Sequence, residues 1–547
     1  MLEIDGSEPI DMARGQEGWF SAEANAAPGA RYRFLLPDGT TVPDPASRAQ
    51  DTDVHGWSLV PDPGAYRWQT TNWRGRPWRE TVIREAHVGC AGGYAGMISE
   101  LPALAAIGFT AIELMPLAAV GGTRNWGYDG VLPYASAAAY GTPDELKALI
   151  DAAHGHGLMV LLDVVYNHFG PDGNYLSLYA PAFFKDGVPT PWGNAIDFGQ
   201  EAVARFFIDN ALMWIEEYRF DGLRLDAVHA IGDTAFLDRL STEVRTAFAD
   251  RHVHLVLENE QNDAARLDGA YDAQWNDDFH NVVHVLLTDE THGYYEDFAE
   301  APAGKLARCL AEGFIYQGQG SPHQNGKRRG SPSGHLSPAR FVAFLQNHDQ
   351  IGNRALGERL TVLTSVAKLR AVTGLLLLCP QIPLAFMGDE TGSRSPFMFF
   401  TDFHDELADA VREGRRGEFA GFPAFSDSHQ RAQIPDPNAL ATFELSRPLP
   451  GPDADVWRAL YTRLLAIRHD RIIPFLDETR ADGAEAIGAK AVIARWQVGP
   501  QTLTLAINLG AEAVALPHLE GIPIETIGAD AVTDTLPPAS FAAWIAG

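Results

Sequence analysis

Five short, almost uninterrupted apolar runs dictate what this chain can fold into: residues 111–115, 158–162, 222–225, 254–257 and 341–345, separated by longer Ala- and Leu-rich stretches. A strand with one wet face alternates apolar and polar residues, whereas a continuous apolar run suits a strand covered on both faces, as in a parallel sheet flanked by helices. The intervening segments 143–156, 201–218, 233–250 and 360–378 are long enough to form helices that cross over and return the chain for the next parallel strand. Strand alternating with helix across residues 81–472 predicts an α/β fold, a (β/α)8 TIM barrel with inserted loops. Residues 1–80 differ: they are rich in Gly, Pro, Asp and Trp, with a strand-like piece at 32–36 followed by the turn signal Pro37-Asp-Gly39. They predict a short N-terminal β-sandwich domain. Alternating apolar segments at 491–496 and 502–507 predict a C-terminal antiparallel β domain over residues 473–547.

The charge balance narrows the partners. Among 547 residues, 42 Lys and Arg face 71 Asp and Glu, a formal net charge of −29. Such a chain repels polyanions and offers no basic footprint, which excludes nucleic acid and anionic membrane surfaces as partners. Cys90, Cys309 and Cys379 are odd in number and far apart, so neither a disulfide framework nor a CxxC metal site is expected and a reducing compartment fits. Residues 1–14 contain no apolar core of a secretory signal, and the longest apolar stretch, 375–387, is broken by Pro380, Gln381 and Pro383. The expected location is cytoplasmic, with no membrane span.

Acidic residues mark the ends of the buried runs: Asp163 closes 158–162, Asp226 closes 222–225, Glu258 closes 254–257, and Asp349 follows 341–345 after a three-residue link. One Asp at a strand end is commonly a cap or turn residue. Four of them in a parallel barrel would converge on the C-terminal face, where such barrels place their sites, and clustered carboxylates are not expected for stability alone. Arg224 lies two residues before Asp226, so both side chains leave one face of the strand. A guanidinium beside a carboxylate favours its ionised form, as a nucleophile requires. Glu258, following an apolar run, suits a protonated acid. Two carboxyls with those opposed duties are what glycoside hydrolysis needs, with a separation of roughly 5 to 5.5 Å for a retaining mechanism. Asp349 would stabilise the developing oxocarbenium charge. His168 and His348 belong to no metal-ligand spacing and suit hydrogen bonding to sugar hydroxyls, while the one HxxxH pair, His280 and His284, is expected to be structural. No metal or cofactor site is expected.

The segments Asp163-Val-Val-Tyr-Asn-His168, Gly222-Leu-Arg-Leu-Asp226, Leu257-Glu258-Asn259 and Gln346-Asn-His-Asp349 resemble, in order, the four signature segments of the α-amylase superfamily, glycoside hydrolase family 13. Within it, the chain more closely resembles the maltooligosyltrehalose trehalohydrolases. That likeness is carried by Val42-Pro-Asp-Pro-Ala-Ser-Arg48, Asn125-Trp-Gly-Tyr-Asp-Gly130, Phe169-Gly-Pro-Asp-Gly-Asn-Tyr175, Asp226-Ala-Val-His-Ala230, Gln274-Trp-Asn-Asp-Asp278 and Leu345-Gln-Asn-His-Asp-Gln-Ile-Gly-Asn-Arg354. The resemblance implies Asp226 as nucleophile, Glu258 as general acid/base and Asp349 as transition-state stabiliser. It further implies that Tyr128 stacks under the sugar at the cleaved linkage, that His168, Arg224 and His348 bind its hydroxyls, that Asp163 braces Arg224, and that His229 lies toward the leaving group. The implied substrate is maltooligosyltrehalose or a related α-glucan, with a maltooligosyltrehalose synthase as pathway neighbour. Three departures stand out: a short N-terminal domain, Thr391 where the family carries Trp, and Arg84-Glu-Ala-His-Val-Gly89 in place of a Tyr-Glu-Leu-His pattern. Other α-glucan hydrolases or transferases and a non-catalytic glucan-binding protein are the competing readings.

Overall fold

The computed structural model describes residues 1–16, 18–190, 193–421, 425 and 427–547. Its centre is a closed barrel of eight strands: β1 (Ile83–Ala86), β2 (Ala111–Leu114), β3 (Met159–Val164), β4 (Gly222–Leu225), β5 (His254–Leu257), β6 (Ala273–Trp275), β7 (Phe341–Phe344) and β8 (Ile382–Phe386). Each pairs in parallel with the next, and β8 closes on β1 through Leu384 opposite Ile83. The five apolar runs are β2, β3, β4, β5 and β7. The other three strands escape a hydrophobicity reading because β1 carries Arg84 and Glu85, β6 is three residues long and includes Gln274, and β8 contains Pro383.

Helices fall between the strands as the alternation requires. Pro143–Gly155 starts at a Thr142–Glu145 capping box with Pro at its first turn, an arrangement that satisfies orphan amides reciprocally. Thr234–Ala247 starts where the Asp233 side chain accepts from the Phe236 amide and stops three residues short of the expected end. The single helix expected over 360–378 is two, Leu360–Leu363 and Val366–Leu378, because the Ser365 hydroxyl accepts from the Lys368 amide and caps a fresh start. Among the described residues no helix is long and apolar enough to cross a membrane.

Two β units flank the barrel. At the N-terminal side Leu2–Ile4, Arg31–Leu35, Thr41–Val42 and Ser58–Leu59 form one four-stranded antiparallel sheet, beside a small hairpin of Ala13–Arg14 and Phe20–Ser21. At the C-terminal side the order is Arg480–Gly488, Ala491–Val498, Gln501–Asn508, Ser540–Ala546, Glu525–Ile527. Cys90, Cys309 and Cys379 are buried free thiols.

The helix Ala454–Arg471 joins the barrel to this last sheet and carries Arg468, which is fully buried. Its guanidinium donates to the carbonyls of Leu377 (3.2 Å), Cys379 (2.7 Å) and Gln381 (2.7 Å), the turn between the helix Val366–Leu378 and β8. Charge-assisted bonds of this kind are the strong ones, and removing their donor strands three buried carbonyls. Arg468→Met should therefore lower stability by about 3 kcal/mol, readable as a lower denaturation midpoint at unchanged m; a midpoint equal to the parent's would contradict the role given to this side chain.

Candidate active site

The C-terminal ends of β3, β4 and β5 meet at one cation. Arg224 of β4 is 1% exposed. Its Nη1 donates to both oxygens of Asp163 (3.0 and 2.9 Å) and to Asp226 Oδ1 (2.7 Å), and its Nη2 lies 3.9 Å from Glu258 Oε2. The guanidinium carbon sits 4.2 Å from the ring centroid of Trp275 on β6. Asp163 lies within β3 rather than just past its end, directly opposite Arg224 in the strand register. Asp226 and Glu258 stand just beyond their strands, as the runs predict. Ala227 adopts a left-handed backbone (φ 41°), and its amide donates to Glu258 Oε2 at 2.6 Å. The turn after β4 thus reaches across to the residue after β5.

Tyr128 closes the cluster from the other side, its hydroxyl donating to Asp163 Oδ2 at 2.6 Å. It is held by a tight turn in which the Gly127 amide donates to Asn125 Oδ1 (2.8 Å) and Asn125 Nδ2 donates to Asp129 Oδ2 (2.7 Å). Gly127 has φ 106°, and a Cβ there would lie 2.2 Å from the Pro116 carbonyl, so only glycine fits. The Tyr128 ring stacks on His348, with centroids 5.0 Å apart and planes at 23°.

His348 and Asp349 follow β7 in the short helix His348–Gly352, whose cap Asn347 accepts from the Asp349 and Gln350 amides. Gln346, just ahead, donates to Asp389 Oδ1 (2.6 Å) and accepts from the Leu360 amide (2.9 Å). Glu85 of β1 accepts from both the ring Nδ1 and the backbone amide of His348, while Nε2 faces Asp349 Oδ1 at 3.4 Å. The Asp349 side chain is 44% exposed, open toward the barrel mouth. His168 is buried near Asp226 and Asp129, and His229, on the short helix Val228–Ile231, lies 3.7 Å from Glu260. All nine residues singled out in the sequence lie on or just beyond the C-terminal ends of the barrel strands, or in the loop after β2.

Protonation differs across the cluster. Burial pushes the Glu258 carboxyl well above the usual range; Arg224 opposes this, and the charges of Asp226, Asp277 and Asp349 add to it. Burial raises Asp163 to about 6 against the pull of Arg224, so it remains ionised at neutral pH. Burial lowers His168 and His229 despite nearby carboxylates. For His348 burial also acts downward, but Asp349 and Glu85 outweigh it and lift the ring to about 9. Glu85 and Asp277 escaped the sequence reading. Glu85 sits in a strand that charge disguises, and Asp277, raised to about 7 chiefly by burial, opens the helix Asp277–Thr288 after β6, with Gln350 donating to it at 3.3 Å. The pair His280 and His284 lies elsewhere, engaged with the Leu345 carbonyl and Glu290. Among the described residues no group of three His, Cys, Asp or Glu is arranged to hold a metal ion.

A ring raised from 6.5 to about 9 in the native state binds its proton more tightly folded than unfolded. Its stabilisation is complete below the unfolded value and is lost as pH rises through the folded one. The stability gap between the parent and His348→Gln should therefore narrow as pH rises from 6.5 to about 9, as followed by denaturant unfolding; a gap constant across that window would refute the assignment.

Residues 46–179 match the alpha amylase catalytic domain, and residues 479–543 match DUF3459, a domain of unknown function. The malto-oligosyltrehalose trehalohydrolase of Deinococcus radiodurans is 42% identical over 455 residues, covering 81% of this chain and 74% of that protein. The enzyme of that name from Arthrobacter ramosus is 36% identical over 544 residues, covering 94% and 92%. A Salmonella typhimurium crystal structure at 1.4 Å resolution superposes with a TM-score of 0.95 at 44% identity, covering 100% of this chain and 95% of that one. The chain belongs to the malto-oligosyltrehalose trehalohydrolase family of the α-amylase superfamily.

Proposed function

We infer that this enzyme hydrolyses the α-1,4-glucosidic bond next to the terminal trehalose of maltooligosyltrehalose, with retention, releasing trehalose and a maltooligosaccharide. The observation that carries the chemistry is the single guanidinium of Arg224 shared between Asp226 and Glu258. Asp226 is the nucleophile, bonded to Arg224 and aimed from the end of β4 at the anomeric carbon. Glu258 is the general acid. Its raised affinity for a proton keeps it ready to protonate the leaving oxygen, and after the trehalose departs the same group, now a carboxylate, takes a proton from the water that attacks the glycosyl-enzyme. Asp349, open to the barrel mouth beside a protonated His348, accepts hydrogen bonds from sugar hydroxyls and stabilises the oxocarbenium-like transition state. Tyr128 provides the apolar platform under the reacting sugar, His168 and His348 bind its hydroxyls, and His229 faces the leaving group. Asp163 and Tyr128 hold Arg224 in place.

A neutral substrate suits a chain of net charge −29. The odd set of buried thiols is consistent with a cytoplasmic enzyme, working downstream of a synthase that converts the reducing end of an α-glucan to trehalose.

Incubation with maltotriosyltrehalose should release free trehalose far faster than maltopentaose is cleaved; equal cleavage of both would leave a general α-glucan hydrolase. Asp226→Asn should fold normally and lose about 10⁴-fold or more in kcat, so substantial turnover by that variant would remove Asp226 from the mechanism.

A further inference from the structure

Beneath the catalytic carboxyls lies a buried acid to which the mechanism gives no duty. Glu85 of β1 and Glu113 of β2 are register partners on adjacent parallel strands, so both side chains leave the same face. That face is the barrel interior, because Glu85 reaches His348. Glu113 is 1% exposed, and among the described residues neither of its carboxyl oxygens has a hydrogen-bond partner.

The charged groups that face Glu113 come from four elements: Glu85 from β1, Asp163 from β3, Arg224 from β4 and His348 from the short helix after β7. They comprise two anions and two cations. A further anion with no donor would stand as an uncompensated buried charge, which costs far more than a neutral acid. Burial first, then Glu85 and Asp163, push the Glu113 carboxyl well above its usual range, and Arg224 and His348 only partly oppose them. Even a neutral acid left unpaired is unfavourable relative to an apolar side chain of that size. Its presence in a strand otherwise built of Ala, Ile and Leu calls for a reason.

We propose that Glu113 is a positioning residue that works as the neutral, protonated member of a carboxylic acid–carboxylate pair with Glu85, leaving the Glu85 charge free to hold His348 beneath the substrate. Neighbouring carboxyls that cannot both ionise share one proton. With that proton on Glu113, Glu85 is an anion beside a neutral hydrogen-bond donor. It accepts from the backbone and ring of His348, and the ring presents its other nitrogen toward Asp349. The argument rests on His348 acting at the sugar, as assigned above.

The test compares Glu113→Gln, which stays neutral and keeps a donor, with Glu113→Leu, which loses it. On whichever glucan the parent cleaves, Glu113→Gln should keep kcat within about twofold of the parent, with the same pH profile. Glu113→Leu should lose about tenfold in kcat with little change in KM, and its activity should fall off at lower pH on the alkaline side as the Glu85–His348 pair loosens. A mid-infrared difference spectrum, parent minus Glu113→Gln, should show a carboxylic-acid C=O band at neutral pH. That readout needs no substrate, so it separates failure of this proposal from failure of the assigned reaction, and it stands if the Leu variant does not fold. Equal damage in the Gln and Leu variants, an undamaged Leu variant, or the absence of the acid band would each overturn the proposal.

Discussion

The site is organised by the burial of one guanidinium. Arg224 is nearly inaccessible to water, and an unpaired cation there would be prohibitive. It is tolerated because Asp163 and Asp226 each accept from it, Glu258 lies within 4 Å, and the Trp275 ring covers one face. The same contacts fix where those carboxyls point. β3, β4, β5 and β6 are thereby tied together at their C-terminal ends through a single side chain, and the chemistry assigned to Asp226 and Glu258 depends on that tie.

A second layer of support comes from outside the barrel. Asp53, in the N-terminal unit, accepts from the Gly122 amide at 3.3 Å, and His55 pairs with Asp172 at 3.0 Å and with the Tyr175 hydroxyl at 2.6 Å. Between them Val54 is fully buried against Gly173. The loops so held are those that follow β2 and β3, which carry Tyr128 and His168. The N-terminal unit therefore acts on the site through loop geometry. The three residues belong to the loop between the strands Thr41–Val42 and Ser58–Leu59.

What the sequence disclosed follows a physical division. Asp226 and Glu258 were legible because each interrupts an apolar run at the point where a doubly covered strand must end. Asp163 was legible for the same reason, although β3 continues one residue past it, since Arg224 opposite compensates a charge inside the strand. Tyr128 lies in a loop and His229 on a single helical turn, where no periodicity marks them, and only the resemblance to a known family pointed to them. Glu85 was hidden in a strand whose pattern its own charge disrupts. Glu113 was in plain view, the one ionisable residue within the run 111–115, and a polar group inside a strand covered on both faces is a signal that can be used. The helix boundary at Ser365 was set by a local capping bond, which the Leu-rich composition over 360–378 does not reveal.

The central claim is that Asp226 forms a covalent bond to the sugar while Glu258 manages the protons. The most direct measurement is trapping: a fluorinated α-glucosyl donor that forms the glycosyl-enzyme quickly and hydrolyses slowly, followed by peptic digestion and mass spectrometry of the labelled peptide. The account predicts stoichiometric labelling of the peptide containing Gly222-Leu-Arg-Leu-Asp226, with the sugar on Asp226. Full turnover of such a donor with inverted product and no labelled peptide, or a label on Glu258 or Asp349, would contradict it.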